Sequence, residues 1–154
     1  VEVRQDVLVY SSRTLDQPIE VTGPLSATLY AATTAPDTDF VVRLCDVAPD
    51  GASIILAEGI LRARFREGTE QARLVNPGEV YEYHISLVAT SNLFLEGHRI
   101  RVDVCSSSFP RFDRNPNTGH PLGYDGLEHL QPARQTIHHD SQRPSNILLP
   151  VIPR

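Results

Sequence analysis

Gly97-His98-Arg99-Ile100-Arg101-Val102-Asp103-Val104-Cys105-Ser106-Ser107-Ser108-Phe109-Pro110-Arg111-Phe112-Asp113-Arg114-Asn115-Pro116-Asn117-Thr118-Gly119 changes character halfway along. Ile100, Val102 and Val104 alternate with Arg101, Asp103 and Cys105, and a period of two marks a half-buried β-strand. Pro110 ends the ladder, because it has no N–H to donate and holds Phe109 extended before it. Beyond the strand lies a loop carrying Phe109, Arg111, Phe112, Asp113, Arg114, Asn115 and Asn117. A strand that delivers aromatics and arginines to one end of a domain predicts a contact surface there.

Working outward, the rest of the chain reads as further short strands. Leu8 to Ser11 and Ile19 to Val21 are extended pieces, with Asp16-Gln17-Pro18 and Gly23-Pro24 as breakers. Leu25, Ala27, Leu29 and Ala31 alternate with Ser26, Thr28, Tyr30 and Ala32. Phe40 to Val47 and Ser53 to Glu58 flank Ala48-Pro49-Asp50-Gly51, which predicts a hairpin: proline presets φ, aspartate bonds the local backbone and glycine takes positive φ. Ile60 to Phe65 reads as a strand, with Arg62, Arg64 and Arg66 on one face. Tyr81, Tyr83, Ile85 and Leu87 alternate beyond the Asn76-Pro77-Gly78 turn. Arg134 to His139 and Ile147 to Ile152 close the chain in extended form. No stretch carries three helical turns of apolar stripe. Eight or nine short strands predict an all-β, single-domain sandwich or barrel.

Composition narrows the partners. The 154 residues suffice for one domain, and 40% hydrophobic with 21% charged content is that of a globular chain. A net charge of −5 argues against duplex nucleic acid, which needs clustered cations. No apolar run reaches the ~20 residues of a membrane-spanning helix, and no signal-peptide pattern opens the sequence. On that basis the expected compartment is the cytoplasm, and self-association is left open. Cys45 and Cys105 read as small buried thiols. The chain lacks methionine and opens mid-pattern at Val1, which predicts an excised or mature part of a longer protein.

A search for chemistry finds little. Gly51-Ala52-Ser53-Ile54-Ile55 fails the nucleophile-elbow pattern at its last glycine and lies at a hairpin. Ser107, Asp113 and His138 occur in triad order, but geometry and not order identifies a triad. His138-His139-Asp140 points to alternating faces, with one imidazole expected toward the core and the other toward solvent. His120 and His129 lie near Asp125 and Glu128, a weak zinc pattern. Asp37-Thr38-Asp39 lacks the glutamate of a calcium loop and reads as a turn cap before Phe40. The Arg62-Arg64-Arg66 stripe reads as a solvated or domain-facing surface. No cofactor motif and no catalytic residue is assigned.

Several stretches, in order, resemble one family. They are Leu8-Val9-Tyr10-Ser11-Ser12, Val21-Thr22-Gly23-Pro24, Asp46-Val47-Ala48-Pro49-Asp50-Gly51, Gly59-Ile60-Leu61-Arg62-Ala63, Ser107 to Gly119, and Leu149-Pro150-Val151-Ile152-Pro153. Together they resemble the C-terminal non-catalytic domain of X-Pro dipeptidyl-peptidase and cocaine esterase (CocE/NonD) serine hydrolases. The resemblance implies a jelly-roll, galactose-binding-domain-like sandwich over residues 1–154. It also implies an α/β-hydrolase catalytic domain elsewhere in the same protein as partner, holding the triad and hydrolysing esters or amides. On this reading Phe109, Arg111, Phe112, Asp113, Arg114 and Asn115 form the domain interface, anchored partly by internal Arg–Asp pairs. The alternative is a carbohydrate- or ligand-binding jelly-roll module.

Overall fold

The structure is a computed structural model that describes residues 4–153. Its strands are β1 (Leu8–Ser11), β2 (Ile19–Thr33), β3 (Asp39–Val47), β4 (Ser53–Arg62), β5 (Tyr81–Phe94), β6 (Arg99–Cys105), β7 (Gln135–Asp140), β8 (Arg143–Pro144), β9 (Asn146–Leu148) and β10 (Val151–Ile152). Short 3-10 turns occupy Ala63–Phe65 and Leu127–His129, and there is no α-helix among the described residues. One sheet runs β1-β6-β3-β4; in the other, β2 pairs with β5 on one side and with β7, β9 and β10 on the other. All these pairings are antiparallel and the chain passes repeatedly between the sheets, which makes the expected jelly-roll sandwich.

The alternation read from sequence maps onto the inner faces. Leu25, Ala27, Leu29 and Ala31 of β2 and Tyr83, Ile85 and Leu87 of β5 are buried against Phe40, Val42 and Leu44 of β3. Phe40 and Tyr83 place their rings 4.7 Å apart, within the range of a favourable aromatic pair. At the β4–β5 edge the sheets are drawn together so closely that a Cβ on Gly59 would stand 2.2 Å from the Ser86 carbonyl oxygen. Only glycine fits there.

Several strand boundaries differ from the sequence reading, and β5 runs on past Leu87 to Phe94. Gly23-Pro24 does not break the chain: β2 is continuous from Ile19 to Thr33 and absorbs the pair as a bulge, with the register against β5 shifting between Pro24 and Ser26. Gly23 takes φ +139°, open to glycine, and a proline is tolerated at a bulge where the ladder is already interrupted. The expected strand to Phe65 stops at Arg62, and Ala63–Phe65 coils into a 3-10 turn. Cys45 and Cys105 are thiols on neighbouring strands. Val41 faces Cys105 and Cys45 faces Arg101, so four residues of strand separate them, roughly 13 Å and beyond disulfide reach.

Candidate functional site

Three buried acids organise one end of the sandwich. Asp37 and Asp39 lie just before and at the start of β3, and Glu58 stands on the outer face of β4 opposite Arg43. A buried carboxylate without a cation or donors is costly, and each of these has both. Arg64 donates from Nε to Asp37 Oδ2 at 2.8 Å and from its backbone N–H to Asp37 Oδ1 at 3.0 Å. Arg62 forks onto Asp39 at 2.8 and 3.0 Å, and these bonds raise the pKa of its guanidinium. Arg43 Nε donates to Glu58 Oε2. The Arg62-Arg64-Arg66 stripe is therefore not a solvated surface. Arg62 and Arg64 turn inward because two acids at the mouth of β3 need cations, and Arg66 lies over the Tyr81 ring, 4.4 Å from its centroid. Asp37 and Asp39, expected to cap a turn, hold these arginines instead.

The loop after β6 is built onto this acid cluster. Ser108 Oγ donates to Glu58 Oε2 at 2.7 Å, and Arg111 Nη1 lies 3.4 Å from Glu58 Oε1. Asn115 Nδ2 donates to Asp37 Oδ2 and to Asp39 Oδ1, each at 2.9 Å. Asn115 Oδ1 in turn accepts from the Asn117 N–H at 2.9 Å, and Asn117 Nδ2 donates to the Gln131 carbonyl at 2.7 Å. The internal Arg–Asp pairs lie beneath the loop, as Arg62–Asp39 and Arg64–Asp37, while the loop's own arginines stack on rings. The Arg114 guanidinium lies 4.5 Å from the Phe109 ring centroid, and that of Arg111 lies 5.5 Å from Phe112. Asp113 is exposed. The loop is thus pinned from below by Ser108, Arg111 and Asn115, while Phe109 remains 58% exposed above. Burial pushes the Cys105 thiol at its root above the ordinary pKa, which keeps it protonated.

Beside the loop runs a groove of about 720 Å³ with Arg4 to Leu8 on one wall and Ser106 to Phe109 with Arg114 on another. A second lobe, residues 118–130, adjoins it. There Asp125 accepts from the Thr118 hydroxyl and lies 2.9 Å from His120 Nδ1, and His120 meets the Tyr124 ring edge-on at 5.5 Å. Leu122, Tyr124 and Leu127 project from this lobe into solvent. The sequence reading missed this apolar patch, since it has no periodicity; three large apolar residues in a stretch that cannot be a strand were the available signal.

No group of three or more His, Cys, Asp or Glu side chains is arranged to hold a metal ion among the described residues. Of the paired histidines in β7, neither enters the core: His138 is half-buried, and His139 is exposed with its ring against Tyr10. No helix of the described residues is long and apolar enough to cross a membrane.

Comparison with known proteins fits this geometry. The family described as the X-Pro dipeptidyl-peptidase C-terminal non-catalytic domain matches residues 1–148. Cocaine esterase of Rhodococcus sp. (strain MB1 Bresler) is 49% identical over 151 residues, which are 98% of this chain and 26% of that protein. Among solved structures, an aminopeptidase from a marine sediment Thaumarchaeota archaeon superposes with TM-score 0.93 at 38% identity, covering 97% of this chain and 26% of the other. An α-amino acid ester hydrolase superposes with TM-score 0.94 at 31% identity, covering 99% and 26%. The chain therefore spans about a quarter of the length of each of these relatives.

Proposed function

Because the chain belongs to the X-Pro dipeptidyl-peptidase C-terminal non-catalytic domain family of CocE/NonD-like hydrolases, we propose that residues 1–154 are the accessory jelly roll of a larger serine hydrolase. Its partner is an α/β-hydrolase catalytic domain in the same polypeptide, which carries out ester or amide acyl hydrolysis. The jelly roll stabilises that domain and helps wall its active-site cleft. Phe109, Arg111, Phe112, Asp113, Arg114 and Asn115 supply the docking surface.

One observation carries the reading. Arg4 to Leu8, where a preceding polypeptide would enter, line the same groove as Phe109 and Arg114. A catalytic domain preceding a C-terminal jelly roll would enter beside the loop. The loop suits docking, since its anchors are internal and its exposed face offers an aromatic ring and an arginine, the composition of interface anchors. The cytoplasm is the compartment we assign to the whole protein.

Arg111→Ala and Phe112→Ala in the full-length enzyme test the interface. Each should lower its melting temperature or its activity, and Phe112→Ala, whose side chain is not one of the loop's internal pins, should shift the 154-residue chain far less. Wild-type values for both variants in the full-length enzyme would refute the assignment.

A further inference from the structure

The sandwich is not filled evenly. Along β4–β5 the sheets are closed by Gly59 against Ser86, and Phe40, Tyr83 and Ile85 pack the space beside them. On the other flank β1 and β6 face β7 and β9, and the side chains pointing between them include Ala27, Val42, Val102 and Val104. Facing sheets lie ~10 Å apart, a gap that alanine and valine do not span. A cavity of about 330 Å³ remains, floored by Ala27, Leu29, Val42 and Val104 and open to solvent past Tyr10 and His139. The two rim rings meet edge to face, 5.8 Å between centroids, one from each sheet.

We propose that this cavity is a binding site for a compact, uncharged aryl or cycloalkyl molecule. Its size falls at the lower end of small-ligand pockets. Its walls are mainly aliphatic, with Ser145 and Asn146 as polar neighbours beside the two rim rings and no carboxylate, guanidinium or ammonium among the lining residues, so a charged ligand would be desolvated without compensation. An apolar space of roughly 150 Å³ already suffices for one benzene ring, so a bicyclic molecule fits here. The Tyr10 and His139 rings offer edge and face contacts to an aromatic occupant, and the imidazole can meet one polar atom left at the rim. The site lies between the sheets and shares Val104 and Ile137 with the groove beside the Phe109–Asn115 loop, but no residue of that loop lines it, and it stands whether or not the loop docks on a catalytic domain.

Indole is a suitable probe, with benzoate as its charged counterpart. Titrated into the 154-residue chain by NMR, indole should saturate with a Kd at or below about 1 mM, the range open to nine heavy atoms in an apolar pocket. Intermolecular NOEs should reach the Ala27 and Val104 methyl groups, and benzoate should leave those signals in place. Ala27→Leu and, at the half-buried rim, Val102→Phe both fill the space and should each weaken indole at least about tenfold. The second variant keeps the test informative where the first fails to fold. No saturation, or shifts confined to Leu122, Tyr124 and Leu127, would overturn the assignment, as would undiminished affinity in a folded filled variant.

Discussion

Arg64 Nε stands 2.8 Å from Asp37 Oδ2, and both side chains are less than a tenth exposed. The pair ties the 3-10 turn after β4 to the segment entering β3, closing the end of the sandwich from which the Ser106–Gly119 loop departs. Removing one member leaves the other as a buried, uncompensated charge. Arg64→Met should therefore lower the unfolding free energy by about 3–5 kcal/mol in urea denaturation. Adding Asp37→Leu to that variant should recover part of the loss. A single-variant loss below about 1 kcal/mol would mean that Asp37 is not held by this cation.

Asn115 links the loop to the same acids through one carboxamide nitrogen. Asn115→Ala removes a donor from Asp37 and from Asp39, and the expected loss is about 1–3 kcal/mol. Hydrogen exchange locates the effect: amides of residues 113–118 should exchange faster, while those of β2 and β5 keep their relative protection. Uniform loss of protection would show that the loop does not depend on this anchor.

Much of this architecture was legible in the sequence, and the exceptions share a cause. Alternation identified the inner faces of β2, β5 and β6 because burial there follows the pleat. It misread Arg62 and Arg64, which also alternate, since their partners Asp37 and Asp39 lie more than twenty residues earlier and leave no local trace. Asp103 alternates as an outward residue yet is 2% exposed, because the outer face of β3 and β6 is itself covered. Gly23-Pro24 carried a true turn signal, but a bulge between two paired strands satisfies the same residues. The loop stood out by its aromatic and arginine content, whereas its anchoring through Glu58 rested on a residue that looked like an ordinary strand-edge charge.

Gly59 sets the approach of β4 to β5. A methyl group there would press on the Ser86 carbonyl oxygen, a backbone atom with no rotamer to yield. Gly59→Ala should cost about 3 kcal/mol or more, at the upper end of overpacking penalties, and should lower the thermal midpoint accordingly. A change within about 0.5 kcal/mol would show that the two edges are free to separate.

Tyr83 is fully buried between the sheets, and its hydroxyl has no hydrogen-bond partner among the described residues. Burial pushes its pKa up to about 12. Tyr83→Phe keeps the ring contact with Phe40 and removes the unsatisfied oxygen, so stability should rise by about 1 kcal/mol, in contrast to the usual loss on core substitution. Equilibrium unfolding in guanidinium decides it. Destabilisation by a similar amount would mean that the hydroxyl is satisfied.

The lobe carrying Leu122, Tyr124 and Leu127 depends on Asp125, and here pH is the probe. Hydrogen bonds from His120 first and Thr118 second hold the Asp125 carboxyl below its ordinary value of 3.8, with burial opposing them. A carboxyl whose folded value is depressed contributes stability that is complete above its unfolded value and is lost as pH falls through the folded one. The lobe should thus hold its structure at pH 5 and loosen in the acid range below 3.8, which Tyr124 ring shifts would follow. Carbon-13 titration of the Asp125 carboxyl should give a midpoint under 3.8 in the wild type, moving upward in His120→Ala as the larger of the two bonds is lost. A wild-type midpoint at or above 3.8, or one indifferent to His120→Ala, would show that the imidazole does not hold this carboxylate and that the lobe's apolar face is positioned by other contacts.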